Sequence, residues 1–194
     1  MKLIRIAIVT SGTLLLLLAT NTKAEDWARQ SFDVQGLKKA SLAFEYPLSW
    51  GKKPKYKTFD NVTDISFGPY GPKSKPFFLV HLQSVPTVEV ITAEQLQKIA
   101  ESDVRLLAEE AFESEIPINE MQGPNNRILY YSITDKEKKW GEFDYLTKAV
   151  VASGALLTNV YFFSSDGAPD FGSDAMRMME SITFTPPPAE KKDE

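Results

Sequence analysis

Three long β-type segments lie close together in the second half of the chain, and they constrain its fold more than any other feature. They span residues 127–134, 142–151 and 155–164, and each is rich in β-branched and aromatic residues. The connectors between them are short, whereas parallel neighbours need a crossover of about a dozen residues or more. The sequence therefore predicts an antiparallel meander and excludes a purely parallel, doubly wound sheet.

One long helix is predicted before this meander. Thr92 and Gln95 have the spacing of a capping box, in which each side chain satisfies a backbone N–H of the first helical turn. Apolar residues then recur at steps of three and four, at Leu96, Ile99, Ala100, Val104, Leu107, Ala108 and Ala111. This period predicts an amphipathic helix that runs to about residue 112, with one face on a sheet and the other in water. A second, short helix is predicted over residues 171–180.

Strands dominate the rest of the chain. Shorter ones are predicted over residues 31–34, 41–46, 62–68, 77–84 and 182–185. Residues 25–30 are interpreted as a frayed start and residues 51–61 as a polar loop. We therefore expect an α+β fold in which a central antiparallel β-sheet is flanked by helices, an αβα sandwich. It should form a single domain over residues 25–188, followed by a charged, disordered tail at 189–194.

The first 24 residues have the layout of a secretory signal peptide. Lys2 and Arg5 precede an apolar run at residues 6–19, and small residues occupy the end of the segment. The apolar run is shorter than the ~20 residues that a membrane-spanning helix needs. We expect cleavage between Ala24 and Glu25, and a mature protein that is periplasmic or secreted and does not span a membrane.

Loss of this segment changes the charge of the protein. The segment holds three of the 22 basic residues and none of the 26 acidic ones, so 19 basic groups remain against 26 acidic groups, a net charge of −7. Binding to nucleic acid depends on basic side chains that neutralise phosphates. The balance therefore argues against a nucleic-acid partner.

The residue types exclude several kinds of active site. The chain has no Cys and a single His, His81, which excludes disulfides, thiol nucleophiles and Cys-ligated metals. His81 shares a predicted strand face with Leu79 and Gln83, and no Gly-x-Ser-x-Gly motif is present. We interpret His81 as a half-buried histidine that is satisfied by a hydrogen bond. The sequence thus predicts a protein that is not an enzyme and needs no cofactor.

Four acidic residues crowd the end of the long helix, at Glu109, Glu110, Glu113 and Glu115. They lack the spacing of a calcium loop, and charge runs of this kind usually form a solvated helix face. We adopt that interpretation, which leaves a weak divalent-ion site open as the alternative.

The lysines of the predicted loops are the candidate binding residues. Four of them occur between residues 51 and 59 without an acidic neighbour, and tryptophans border this cluster and a second one near residue 138. If the loops converge, they form a basic, aromatic-edged patch that attracts an anionic partner. Ordinary solubilising charge is the alternative interpretation. The candidates are Trp50, Lys52, Lys53, Lys55, Tyr56, Lys57 and Trp140.

Two short segments resemble a known family. Residues 41–50, which read SLAFEYPLSW, resemble the opening of PsbP-like domains, and residues 178–184, MMESITF, resemble their closing element. Residues 130–147 also look like small exported bacterial members of that family. The family is similar in fold to the extrinsic oxygen-evolving proteins of photosystem II and to a Ran-binding nuclear import factor. The resemblance implies a central antiparallel sheet flanked by helices and a role in binding partners.

Three functions remain open on these grounds. The first is an exported, non-catalytic binding module whose partner is an unknown envelope protein or anionic component. The second is a small-ligand carrier that uses the crevice between sheet and helix. The third is a carboxylate-dependent hydrolase, which requires two Asp or Glu side chains facing each other across a cleft.

Overall fold

The computed structural model describes residues 26–50, 54–60, 62–68, 78–137, 143–165 and 172–188. The expected signal peptide, its cleavage site between Ala24 and Glu25, and the expected tail lie outside the described residues. In chain order the elements are β1 (Trp27–Asp33), β2 (Ser41–Pro47), a 3-10 turn (Leu48–Trp50), β3 (Lys55–Phe59), β4 (Val62–Phe67), β5 (Phe78–Pro86), α1 (Ala93–Leu107), β6 (Asn119–Gln122), β7 (Arg127–Thr134), β8 (Tyr145–Ser153), β9 (Leu156–Ser164), α2 (Gly172–Ser181) and β10 (Thr183–Thr185).

Seven strands form one large antiparallel sheet, in the spatial order β3-β4-β5-β9-β8-β7-β6. The predicted meander is confirmed, since β7 pairs with β8 and β8 pairs with β9, both antiparallel. The long strand β5 joins the free side of β9. Three further strands form a small antiparallel sheet in the order β1-β2-β10. Every strand that the sequence predicts overlaps one of those observed.

The main core lies between the large sheet on one side and the small sheet with α2 on the other. Aromatic rings fill its centre: Phe44 packs on Phe32 with ring centroids 5.4 Å apart, and it meets Phe67 edge-on at 5.8 Å. Met178 and Met179 of α2 are fully buried in the same cluster. Large apolar side chains of this kind each contribute about 1.5–3 kcal/mol when they leave water. This core therefore fixes the small sheet and α2 on one face of the large sheet.

The expected αβα sandwich is wrong. In the described part of the chain ten strands form two antiparallel sheets, and α1 and α2 are the two α-helices. A sheet, rather than a layer of helices, covers most of the inner face. The excess of strand comes from the first half of β1, which was interpreted as a frayed start, from β3, which was interpreted as a polar loop, and from β6, for which no element was predicted. All three lie at sheet edges, where polar side chains are common and the hydrophobic alternation is weak.

Helix α1 begins as predicted but ends earlier. The capping box is confirmed, because the backbone N–H of Thr92 donates to Gln95 Oε1 at 2.8 Å and the N–H of Gln95 donates to Thr92 Oγ1 at 3.2 Å. The helix ends at Leu107 instead of residue 112, and Ala111 forms an isolated antiparallel bridge with Asp135. The helix therefore ends where the following segment turns to pair with the end of β7. Leu96 and Ala100 pack on Leu129, Val150 and Ala152 of β7 and β8.

One acidic residue of the expected solvated helix face has a structural role instead. The carboxylate of Glu113 accepts hydrogen bonds from the backbone N–H of Thr134 at 2.9 Å and from its hydroxyl at 2.6 Å. Burial by itself raises the pKa of Glu113, but these hydrogen bonds outweigh it and hold the pKa below its usual value. The carboxylate therefore ties the segment after α1 to the end of β7.

We expect a pH-dependent contribution from Glu113. Its folded-state pKa is lower than its unfolded one, so its stabilisation is present above about pH 4.5 and is lost as the pH falls through the folded-state pKa. The variant Glu113→Gln should be less stable than the wild type near neutral pH, and the difference should shrink in acid. Urea unfolding over a pH series measures it. A difference that stays constant across the series contradicts this role.

The side-chain amide of Asn126 is one of the contacts that join the two sheets. Asn126, in the turn between β6 and β7, is buried, and its Nδ2 donates to the carbonyls of Met179 at 2.9 Å and Ile182 at 2.8 Å. These carbonyls lie in the last turn of α2 and in the residue before β10, and the last carbonyls of a helix have no partners within the regular helical pattern. Gly123 lies beside them, and a Cβ there would be 2.6 Å from the carbonyl oxygen of Glu180. Asn126 thus caps α2 from the large sheet.

Loss of this cap should destabilise the protein. We expect Asn126→Ala to lower the free energy of unfolding by about 2 kcal/mol, because buried carbonyls lose their donor. Asn126→Asp keeps the shape but turns an oxygen toward those carbonyls, so it should destabilise at least as much. Asn125→Ala is the control, since its side chain is exposed. Urea unfolding of the three variants checks the order, and an Asn126→Asp protein as stable as the wild type contradicts the cap.

Candidate binding surface

The large sheet has one buried face and one that is only half covered. Side chains alternate along each strand, and in β5 and β9 every second residue is buried in the main core. The alternate residues point to the side on which α1 packs, and α1 covers β7 and β8 there. We call the remaining part the open face. It consists of Lys55, Lys57, Val62, Asp64, Ser66, Leu79, His81, Gln83, Val85, Leu157, Asn159, Tyr161 and Phe163, all partly or fully exposed.

Two rows of polar side chains cross the open face side by side. In the first row each residue is the register partner of the next on the neighbouring strand; from β3 to β7 it reads Lys55, Ser66, His81, Tyr161, Lys148 and Tyr131. The second row reads Lys57, Asp64, Gln83 and Asn159, and then continues under α1 as Val150 and Leu129. Register partners on one face lie about 5 Å apart at their Cβ atoms, so neighbouring side chains in a row are in reach of each other.

His81 lies in the middle of the first row and is paired. Its Nε2 is 2.8 Å from Asp64 Oδ2, and the two side chains are 25% and 19% exposed. The predicted half-buried, hydrogen-bonded histidine is confirmed. Ser66 is the register partner of His81 on β4, but this is a regular strand whose backbone N–H groups belong to a sheet ladder. A nucleophilic serine needs donors that stabilise an oxyanion, and a flat ladder does not supply them.

The first row ends beneath α1 at a buried charge pair. Lys148 of β8 donates to Asp103 Oδ2 of α1, and their side chains are 9% and 20% exposed. Lys148 Nζ also lies 5.2 Å from the centroid of the Tyr161 ring, a cation–π geometry. The pair therefore links the helix to the sheet next to the open face.

Tyr131 completes the row as a fully buried residue. Its hydroxyl has no hydrogen-bond partner among the described residues. Burial raises the pKa of Tyr131 far above its usual value, and the negative charge of Asp103 and the neighbouring Tyr161 raise it further. The hydroxyl is therefore neutral, and it is available as a donor to water or to another polar group between helix and sheet.

Aromatic rings form a strip along β9 beside these rows. Tyr161 and Phe163 are nearly parallel, with an interplanar angle of 5° and centroids 6.1 Å apart. Phe143 packs against Phe163 at 5.5 Å, and the His81 ring lies 5.8 Å from Tyr161. The open face thus carries a line of packed aromatic rings along β9, bordered by hydrogen-bonding side chains.

Two hollows lie in the crevice between α1 and β9. The larger measures about 500 Å³ and is lined by Val88, Ile91, Ile99 and Leu157 among others. The smaller, about 140 Å³, is lined near the end of α1 by Leu107, Ile133, Leu146 and Phe163 among others. Both are open at the surface. The crevice therefore has apolar ends, and Asn159, Tyr161 and the Lys148–Asp103 pair lie between them.

The predicted binding residues that lie in the described ranges do not form one patch. Lys55 and Lys57 are exposed on the open face at the edge strand β3. Tyr56 points to the opposite face, where its ring lies 5.5 Å from Phe32 and its hydroxyl donates to the Asp33 carbonyl at 3.0 Å. Trp50 is 4% exposed and packs in the core against Phe67, Phe78 and Phe162. Lys52, Lys53 and Trp140 lie outside the described residues.

Asn159, Tyr161 and Lys148 lie on these rows, and the sequence alone did not single them out. Asn159 and Tyr161 alternate with the buried residues Thr158, Val160 and Phe162 in β9, and Lys148 is the single charge in β8. Isolated polar residues at every second position of a strand are a usable signal for an accessible face. Asp103, the partner of Lys148, and Asp64, the partner of His81, come from other segments of the chain. These pairs therefore depend on the strand register and on where α1 packs.

Comparison with known proteins finds no family model, no curated protein and no solved structure that matches the chain. Within the described ranges, neither helix has the length and apolar character needed to cross a membrane.

The Lys148–Asp103 pair should respond to mutation as a buried pair. We expect Asp103→Leu and Lys148→Met each to lower the free energy of unfolding by about 3 kcal/mol, because each leaves one charge without its partner. The double variant should recover most of that loss. Glu94→Ala is the matched control, since it removes an exposed ion pair with Lys98 on the same helix and should change stability by less than about 1 kcal/mol. Strictly additive losses in the double variant contradict the coupling.

Proposed function

We propose that this chain is an exported, non-catalytic binding module that contacts a component of the cell envelope or the extracellular space with its open face. The observation that carries the proposal is the pair of polar rows beside the aromatic strip of Tyr161 and Phe163. The expected signal peptide at residues 1–24 supports the compartment.

The composition of the open face supports recognition. A sheet face that only meets water usually carries small or charged residues, whereas binding surfaces are enriched in aromatic side chains with a few well-placed polar groups. Here Tyr161, Phe163 and His81 are partly exposed beside Gln83 and Asn159. These side chains are held by a seven-stranded sheet, so they are positioned before a partner arrives and lose little conformational entropy on binding.

The pairing of the ionisable groups supports binding over catalysis. His81 is engaged by Asp64, and Lys148 is engaged by Asp103 beneath α1. An acid–base catalyst needs a side chain within hydrogen-bond reach of substrate. On this surface the imidazole and the ammonium instead hold neighbouring strands and the helix in place.

The resemblance to PsbP-like domains supports a partner-binding role but not the choice of the open face. The segments that carry it, residues 41–50 and 178–184, form β2, the 3-10 turn and the junction of α2 with β10. They belong to the main core and the small sheet rather than to the open face. The resemblance therefore favours a partner-binding role and gives no identity for the partner.

A small-ligand carrier is the second candidate. The hollow of about 500 Å³ between α1 and β9 favours it, since Ile91, Ile99 and Leu157 give it an apolar lining. An apolar molecule in this hollow would also contact Leu157, at the end of the open face. The location of the site therefore does not distinguish the two functions, and an experiment is needed.

Site-specific cross-linking distinguishes these functions. A photoreactive amino acid at Gln83, on the open face, should capture a defined envelope component when the protein is exported in its native cell. The same residue at Lys38, in the exposed loop after β1, should capture nothing above background. Tyr161→Ala should reduce the capture at Gln83. Mass spectrometry identifies the product.

Two results would contradict the binding module. Capture that occurs from Lys38 but not from Gln83 moves the interface away from the open face. Absence of capture from Gln83, together with an apolar molecule that copurifies with the protein and is lost in Ile99→Asp, favours the carrier.

A further inference from the structure

We infer that the smaller hollow, at the end of α1, binds a compact organic cation, namely a quaternary ammonium group. The hollow shares only Phe163 with the open face, and the inference does not rest on the proposed function. Three properties of the hollow carry it: apolar and aromatic walls, two carboxylates in the lining, and the C-terminal end of a helix.

The floor of the hollow is a third row of the large sheet, and this row is apolar. Phe163, Leu146 and Ile133 are successive register partners from β9 to β7, and all three line the hollow. Phe143 and Tyr145 line it as well, and the ring centroids of Phe143 and Phe163 are 5.5 Å apart. Walls of this kind offer few hydrogen bonds, so they favour a group with an apolar surface.

Two carboxylates belong to the lining of this apolar hollow. Glu110 and Asp135 both line it, and both are exposed. The backbone places them on neighbouring segments, since Ala111 forms a bridge with Asp135 and the N–H of Lys136 donates to the Glu110 carbonyl at 2.9 Å. Of the described residues that line the hollow, none is basic. The charge of this lining is therefore negative.

The end of α1 adds to the negative potential. The helix ends at Leu107, which also lines the hollow. The last carbonyls of a helix carry a partial charge equivalent to about −0.5 of an elementary charge. The faces of aromatic rings are negative too. All three sources of potential therefore favour a positive ligand, and the walls favour one whose charge is surrounded by apolar groups.

Three nearby basic residues do not remove this potential. Lys148 of β8 is engaged by Asp103. Lys136 is exposed beside Glu137, which carries the opposite charge. Arg105 of α1 is exposed and is not part of the lining. The two carboxylates of the lining thus remain available to a cation.

The chemistry of the walls selects the kind of cation. A metal ion needs several oxygen ligands, and the described residues contain no group of three or more His, Asp or Glu side chains that could hold one. A primary ammonium has three N–H donors that each need an acceptor, which apolar walls do not provide. A quaternary ammonium carries alkyl groups in their place, so it enters without unsatisfied donors.

The hollow is small, and backbone hydrogen bonds hold its walls in place. Its volume of about 140 Å³ is below the about 300–1,000 Å³ of pockets that enclose drug-sized ligands, so it suits one compact group. The N–H of Asp135 donates to the Asp144 carbonyl and the N–H of Asp144 to the Ser164 carbonyl, each at 2.9 Å. The site therefore exists before the ligand arrives, which lowers the entropic cost of binding.

Titration of the purified protein with choline tests the site. The controls are ethanolamine, a primary ammonium, and the carbon analogue of choline, in which an uncharged tert-butyl group replaces the trimethylammonium group. NMR spectra of isotope-labelled protein follow the backbone amides of Asp135 and Lys136 at low and at physiological salt. We expect choline to shift both amides, to bind about tenfold more tightly than either control, and to bind more weakly as salt rises.

Charge variants test the two carboxylates. Glu110→Gln and Asp135→Asn should each weaken choline binding about threefold, because each removes one exposed charge next to the ligand. The double variant should weaken it about tenfold. Glu109→Gln is the matched control, since it removes an exposed carboxylate that does not line the hollow, and it should bind as the wild type does. Thermal unfolding confirms that each variant is folded.

A vesicle experiment distinguishes two sources of the same chemical group. The ligand is either a free small molecule or the headgroup of a lipid. Sedimentation with phosphatidylcholine vesicles, and with phosphatidylglycerol vesicles as the control, measures the second source. Selective binding to phosphatidylcholine that choline displaces assigns the headgroup, whereas binding of choline without binding to vesicles assigns the free molecule.

Four results overturn the inference or part of it. Equal binding of choline and its carbon analogue removes the cation. Equal binding of choline and ethanolamine removes the quaternary ammonium. A loss in Glu109→Gln as large as that in Glu110→Gln attributes binding to the overall charge of the protein, and absence of shifts at Asp135 and Lys136 refutes the site. None of these results affects cross-linking from Gln83, so the proposed function is tested separately.

Discussion

The register of the large antiparallel sheet is the constraint on which the other features depend. In an antiparallel ladder a side chain meets its register partner on the same face, so a shift of one residue in any strand exchanges the two faces. Here the register places Phe162, Val160 and Leu156 in the core and places Phe163, Tyr161 and Asn159 on the opposite side. Buried apolar side chains set this register. The alignment of the polar side chains into rows is a consequence of the register and does not itself determine it.

The two faces of the sheet are covered to different extents, and this difference creates the binding surface. The small sheet and α2 bury one face through a continuous aromatic core, whereas α1 is a single helix on the other. A helix is about 10 Å wide, and strands lie about 4.8 Å apart, so one helix covers about two strands. Helix α1 rests on β7 and β8, so β9, β5, β4 and β3 extend beyond it.

The sequence predicts the central strands well and the edges poorly, for a physical reason. Strands β7, β8 and β9 are long and rich in β-branched and aromatic residues, and the cap of α1 has a local signature in Thr92 and Gln95. The edge strand β3 alternates lysine with other residues, so its pattern resembled a loop. The same difference holds for the binding surface. Lys55 and Lys57 could be selected from the sequence by their charge. The roles of Asp64 and Asp103 could not, because their partners His81 and Lys148 lie on other elements. Trp50, selected beside the lysines, is a core residue, because the 3-10 turn directs its ring inward.

The position of α1 depends on the Lys148–Asp103 ion pair as well as on apolar packing. A buried ion pair is seldom more stable than well-packed apolar residues of similar volume, because both charges lose their hydration. The Lys148–Asp103 pair therefore contributes mainly by fixing where the helix lies. An apolar contact tolerates sliding of the helix across the sheet, whereas an ammonium group must meet its carboxylate. Since Lys148 also lies over the ring of Tyr161, a helix displaced toward β9 would cover the aromatic strip and lose the pair. The charge pair under α1 thus adds a directional contact to the apolar packing that places the helix over β7 and β8.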